Sequence, residues 1–159
     1  MSASRILLAY VEIFLLGAWI GAMLFFSFAV APSAFSALPS RHLAGLVVTS
    51  SMTKLELLGL IIGPLLILLC AAGSRDYARA RSALLLIMTA SAALSRFAVT
   101  PRMVKVRASM GGMIDNLPPS DPLRIEFNRL HDYSVALMSI AILSGLAALY
   151  LAVHSWIKR

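Results

Sequence analysis

Charge is what this sequence has least of. Only 13% of its residues are Asp, Glu, Lys or Arg, where a soluble domain carries about a quarter. With 60% apolar residues and a mean hydropathy of +0.86, the deficit excludes a water-soluble globule and puts lipid around much of the surface. Cysteine is reduced to Cys70, which excludes an intrachain disulfide and any CxxC metal or redox motif. In its apolar run that thiol reads as packed and inert. Acidic residues are half as many as basic ones, 7 against 14, for a net charge of +7. The basic residues flank apolar runs and form no continuous patch with exposed aromatics. That argues against nucleic acid as a partner and for anionic lipid headgroups. A Gly-rich phosphate loop, a serine elbow and HExxH are also missing, so no catalytic constellation is read. No stretch reads as a strand.

What is there is long apolar runs. They predict an all-α integral membrane four-helix bundle, antiparallel and up-down, as a single transmembrane domain over 1–159. Helices are expected at about 5–31, 40–72, 82–109 and 121–157, with helices 2–4 extended beyond the membrane on the side opposite the termini. Ala29-Val30-Ala31 resembles a signal-peptidase box. The run before it far exceeds an h-region of roughly 7–15 residues, and Pro32 would follow the cut, so an uncleaved first span is expected. Pro32 to Pro39 reads as a break and Ser40 as the cap of the next helix. Pro64 reads as a kink inside the second span. Gly73 to Arg81 makes a short turn between antiparallel neighbours. Gly111-Gly112 and Asn116 to Asp121 make a flexible loop, and Asp121-Pro122 starts the last helix.

Lipid gives membrane helices no hydrophobic reason to associate, so small residues and polar contacts must hold them. Gly17 with Gly21, Gly59 with Gly63, and Gly145 beside Ala141 and Ala148 are the candidate packing positions. If exposed, the GxxxG strips permit a homodimer or a membrane-protein partner. Charges at membrane depth are costly unless paired or hydrated. Glu12 lies toward the side of the termini, within reach of Arg81 or His154. Glu56 and Arg96 share a depth on the other side, which predicts an ion pair between the second and third spans.

On the side away from the termini, Glu56, Arg96, Arg102, Glu126, Arg129 and His131 form a candidate polar cluster. Glu126, Arg129 and Tyr133 share one face of the last helix. His131 is where a site would be built. A bis-His haem needs a second histidine at matching depth, and His154 is at the other end. No cofactor is therefore expected. Copper is the metal that fits, with His131, His42, Met110 and Met113 as candidate ligands, because thioethers select Cu(I). Basic residues number six on the side of the termini and eight on the other, which does not decide orientation. Cytoplasmic termini are the working expectation.

Three stretches together resemble one family. They are Trp19-Ile20-Gly21-Ala22-Met23-Leu24-Phe25-Phe26-Ser27-Phe28-Ala29-Val30-Ala31-Pro32 with Phe35 and Leu38-Pro39, then Thr100-Pro101-Arg102, then Phe127-x-Arg129-Leu130-His131 with Ser134. The chain looks like the small bacterial membrane proteins of unknown function related to eukaryotic transmembrane protein 205. The resemblance implies a four-helix membrane bundle with no settled activity, in a bacterial inner membrane. Met52-Thr53-Lys54-Leu55-Glu56 departs from the aromatic segment that family tends to carry there. Looser similarities point to copper-resistance membrane proteins and to the anthrone-oxygenase-like four-helix family. Three functions follow as expectations. The first is a non-enzymatic structural or interaction protein with a polar cluster at one membrane face. The second is copper or small-solute handling or transport. The third is a membrane enzyme on a lipophilic substrate with His131 as general base.

Overall fold

A computed structural model describes residues 3–73, 77–111 and 117–157, without the side chains of Trp156 and Ile157. Arg75 and Asp76 of the expected turn, and Gly112 through Asn116 of the expected loop, lie outside the described residues, as do Lys158 and Arg159. Helix α1 spans Ala3–Phe25 and continues through a π-helical turn, Phe26–Val30, into α2, Ala31–Ala37. Helix α3 spans Arg41–Ala72, and α4 spans Ala78–Leu94. A second π turn, Ser95–Val99, leads from α4 into α5, Thr100–Ser109, and α6 spans Pro122–Ile157. No strand occurs among the described residues. Four of these helical runs are long and apolar enough to cross a membrane: Ala3–Ala37, Arg41–Ala72, Ala78–Ser109, and the one that opens at Pro122.

The caps explain where the helices start. Ser40 is extended, and its Oγ accepts from the Leu43 N–H at 3.2 Å. Asp121 Oδ1 accepts from the Leu123 N–H at 2.8 Å, just ahead of Pro122. These side chains take up N–H groups that have no partner within the helix. Tyr77 precedes α4 in the left-handed region, φ 57°. Pro64 sits inside the unbroken α3.

The first helix does not break at Pro32. It runs on to Ala37, and the chain turns out of helix only at Leu38, which is extended. The physical reason is the π turn. Proline lacks an N–H and crowds the carbonyl four residues back. A π turn pairs each carbonyl five residues on: the Ala31 N–H donates to Phe26 O, and the Thr100 N–H donates to Ser95 O. Each proline, Pro32 and Pro101, then falls in the first turn of the α-helix that follows, where no donor is missed.

The two π turns end on the same motif, Phe-Ala-Val-x-Pro. Phe28-Ala29-Val30-Ala31-Pro32 matches Phe97-Ala98-Val99-Thr100-Pro101. The same shift relates Glu12, Leu16 and Trp19 of α1 to Arg81, Leu85 and Met88 of α4, and all six are buried. The first and third spans are therefore built to one pattern, and they face each other across the bundle.

The core is a cluster of Leu16, Trp19, Ile20 and Met23 from α1 with Ile62, Leu66, Leu85, Met88 and Ala148 from the other spans. Glycines set its spacing. A Cβ on Gly59 would come within 2.5 Å of Trp19 Cζ2, and one on Gly63 within 2.2 Å of Thr89 Oγ1. One on Gly145 would meet Ile20 Cγ1 at 2.9 Å. Gly17 and Gly21 differ, since a Cβ on either meets nothing within 4 Å. The buried residues of α1 fall on its other face, so this strip looks out of the bundle.

At the end of the bundle that holds both termini, Arg81 Nη2 donates to Glu12 Oε1, with both side chains almost wholly buried. Arg81 Nη1 also donates to Ser155 Oγ at 3.5 Å. The pair ties α1 to α4, and Ser155 brings in α6. Cys70 of α3 packs nearby, accepting from Ser82 Oγ at 3.6 Å.

Two outcomes follow for thermal unfolding in detergent. Gly59→Ala forces Trp19 aside and destabilises by about 1–3 kcal/mol, the usual cost of overpacking, while Gly21→Ala stays within about 0.5 kcal/mol. Arg81→Ala strands a buried carboxylate and costs about 3–5 kcal/mol, whereas replacing both partners, Glu12→Leu with Arg81→Met, recovers most of the loss. Equal melting points for the single and double replacements would show that the pair carries no coupling.

Candidate functional site

The second π turn sets out the polar chemistry of the half of the bundle away from the termini. A π turn brings residues five apart to one face. Ser95 and Thr100 both turn to α3 in this way, and both are buried. There they meet Glu56, itself 3% exposed. Ser95 Oγ donates to Glu56 Oε1 at 2.5 Å, and Thr100 Oγ1 donates to the same oxygen at 2.9 Å. Glu56 Oε2 has no partner.

The expected ion pair between Glu56 and Arg96 does not form. The π turn gives the face toward α3 to Ser95 and Thr100. Arg96, the next residue after Ser95, points elsewhere and is half-buried. Two hydroxyls, not a guanidinium, meet this carboxyl. Among the described residues the ion pair is Glu12–Arg81, at the opposite end.

Beyond Glu56 the four spans part around a cavity of about 700 Å³. That is within the roughly 300–1,000 Å³ of small-molecule pockets. The first span contributes Phe26, Ser27 and Phe28 from its π turn, then Pro32 and Phe35. The second contributes Arg41, His42, Gly45 and Thr49, the third Thr100, Met103 and Arg107. Helix α6 closes the ring with Arg124, Phe127, His131 and Ser134, and continues along the wall to Ile142. Three arginines and two histidines therefore line this space with four phenylalanines, and no Asp or Glu among the described residues does.

Arg107 is fixed most closely. Its Nη1 donates to Gly45 O at 2.9 Å and to Thr49 Oγ1 at 3.1 Å. Its guanidinium lies 5.3 Å from the centroid of the Phe127 ring, a cation–π contact. Gly45 makes room for it, since a Cβ there would fall 2.9 Å from Nη2. Arg107 thus bridges α3 and α6 with carbonyl, hydroxyl and ring partners. No described carboxylate forms an ion pair with it. Arg124 Nη1 donates to Leu117 O.

The residues singled out from the sequence end up in different places. His131 and His42 both line the cavity. Arg102, Glu126 and Arg129 are exposed and do not line it. Met110 is buried in a second core with Val99, Val106 and Leu130, and Met113 lies outside the described residues. No group of three or more His, Cys, Asp or Glu is placed to hold a metal among the described residues. Sequence reasoning missed Ser95, Thr100, Arg107 and Gly45. The repeated Phe-Ala-Val-x-Pro was the available signal for the first two, because the same residues before a proline in two spans point to the same local departure from regular helix. Nothing local marks Gly45 and Arg107 as partners, since 62 residues separate them.

No curated protein and no solved structure matches the chain. A family model described as a domain of unknown function (DUF4149) matches residues 14–111. The match takes in most of the first three spans, with Glu56, Ser95, Thr100, Gly45 and Arg107, and stops before α6. It covers more than half of the chain, and the protein belongs to that family.

Proposed function

We propose that this protein is a non-enzymatic, multi-pass binding protein that handles an anionic amphiphile in the cavity between its four spans. A single observation carries the reading: a ligand-sized space lined by phenylalanines and cationic side chains, among them an Arg107 held by a carbonyl, a hydroxyl and a ring. The aromatic walls suit an acyl or prenyl chain. Arg107, Arg41 and Arg124 suit a carboxylate or phosphate headgroup. Arg107 is already oriented by Gly45, Thr49 and Phe127, so little side-chain order is lost on binding.

Of the three functions open to the sequence, this favours small-solute handling over a purely structural role. The enzyme reading gains a cavity beside His131, but the described lining gives that residue no acid or carboxylate partner. Copper handling has one observation of its own, since His42, His131 and Met103 share the lining. We further infer a bacterial plasma membrane location with cytoplasmic termini, and kinship with transmembrane protein 205. The location and the kinship rest on the resemblance of the motifs, and the four spans put both termini on one side without deciding which.

The test is native mass spectrometry of the full chain in phosphatidylcholine nanodiscs. The probes are oleate, lysophosphatidic acid, lysophosphatidylcholine and Cu(I). The expected result is stoichiometric binding of the two anionic probes over the zwitterionic one. Arg107→Gln weakens it about tenfold or more, in line with roughly 1.5–3 kcal/mol for a hydrogen bond to a charged group. Gly45→Ala, which displaces Arg107 and leaves its charge, weakens it in the same direction. Equal uptake of lysophosphatidylcholine, or no uptake of any lipid, would sink the proposal. A Cu(I) adduct lost in His131→Ala would replace it with the copper reading.

A further inference from the structure

The protein buries two carboxyl groups and treats them differently. Glu12 has Arg81 as a counter-charge. Glu56 is as deeply buried, at 3% exposed against 2%, but it has only hydroxyl partners, and both bind Oε1. Oε2 is buried with no partner. A carboxylate out of water with neutral donors on one oxygen alone is a costly arrangement. Among the described residues, none supplies a positive charge to it.

There is room for one. Glu56 borders a second, small cavity of about 20 Å³, above the roughly 10–15 Å³ that one water needs. The exposed wall of this cavity is apolar as the side chains now stand. Its other oxygen-bearing wall residues are Ser91 and Ser95. The remaining walls are apolar, led by Trp19 and Met23 of α1 and by Leu137 and Ala141 of α6. Among the described residues, α1, α4 and α6 bring no titratable group to this cavity. On its own helix Lys54 is exposed, and on the neighbouring π turn Arg96 is half-buried and unpaired with it. Met52 and Met138 line both this cavity and the large one. Two flexible thioether side chains are therefore part of the wall between Glu56 and the side away from the termini.

We propose that Glu56 is an exchangeable monovalent-cation site, which takes up a proton or a sodium ion at its free carboxylate oxygen from the side of the large cavity. A proton arrives from hydronium and forms the Oε2–H bond. Sodium instead needs the Ser91 and Ser95 hydroxyls, which donate to Ile87 O and Glu56 Oε1, to turn their oxygens toward the cavity beside the carboxylate. The two sources share one chemistry and differ in what displaces them. The inference stands apart from the amphiphile reading, and its test uses no lipid ligand.

The experiment is infrared difference spectroscopy of the full chain in phosphatidylcholine nanodiscs, wild type against Glu56→Gln, near neutral pH in sodium-free buffer. The expected result is a protonated-carboxyl C=O band that is lost in the variant. If added sodium at constant ionic strength abolishes the band in wild type, sodium competes at the site. If the band persists, the site is a proton site. Should Glu56→Gln fail to fold, dicyclohexylcarbodiimide labelling of wild type, mapped by peptide mass spectrometry, replaces it. Modification at Glu56 and not at Glu12 supports the proposal. A Glu56 that stays an ionised carboxylate in sodium-free buffer and does not respond to sodium overturns it, as does labelling of Glu12 with none at Glu56.

Discussion

Everything in this bundle depends on the fact that lipid solvates neither charge nor backbone and drives no apolar helix onto another. Glu12 and Arg81 meet that constraint together. Each alone would be a buried charge. As a pair they join the first and third spans, and Ser155 adds the fourth. The pair does not need to be a large net source of stability to matter, because a wrong pairing of spans leaves both charges stranded. It acts on the choice of neighbours, while the glycine contacts of Gly59, Gly63 and Gly145 set how closely those neighbours approach.

The two π turns are the second device. Each carries a proline through an apolar helix without a break. In the third span the turn also rotates Ser95 and Thr100 together onto Glu56. In the first span it places Phe26, Ser27 and Phe28 on the cavity wall. One short sequence, used twice, thus furnishes the polar floor and part of the aromatic wall of the same half of the molecule. The other half is closed by well-packed apolar residues and one ion pair. The division is consistent with a bundle that is tight at the end of its termini and open at the other.

The cavity gives the excess of basic over acidic residues a specific location. Part of that excess sits on exposed helix ends, such as Arg102 and Arg129, where anionic headgroups suffice to explain it. Arg107 is different. It is half-buried and tied to Gly45, Thr49 and Phe127. A guanidinium ordered by neutral groups keeps its charge available for a ligand, which a headgroup-facing arginine on a flexible stem does not.

By itself the sequence determined the class of object. Long apolar runs with 13% charge leave four membrane-spanning helices as the only satisfactory arrangement of the backbone. Ser40 and Asp121 mark helix starts by local hydrogen-bonding chemistry that needs no tertiary context. What only the tertiary structure decided is which polar groups meet. Glu56 and Arg96 share a depth, and depth was all that spacing along a regular helix revealed. The π turn changed the angular register, and angle, not depth, decides contact between helices. Likewise Gly17-x-x-x-Gly21 and Gly59-x-x-x-Gly63 are the same motif, yet the first looks outward and the second receives Trp19 and Thr89. Which face of a helix turns inward is fixed by the rest of the bundle, since lipid accepts either. The cavity belongs to no single span, and it exists only where four helix ends diverge.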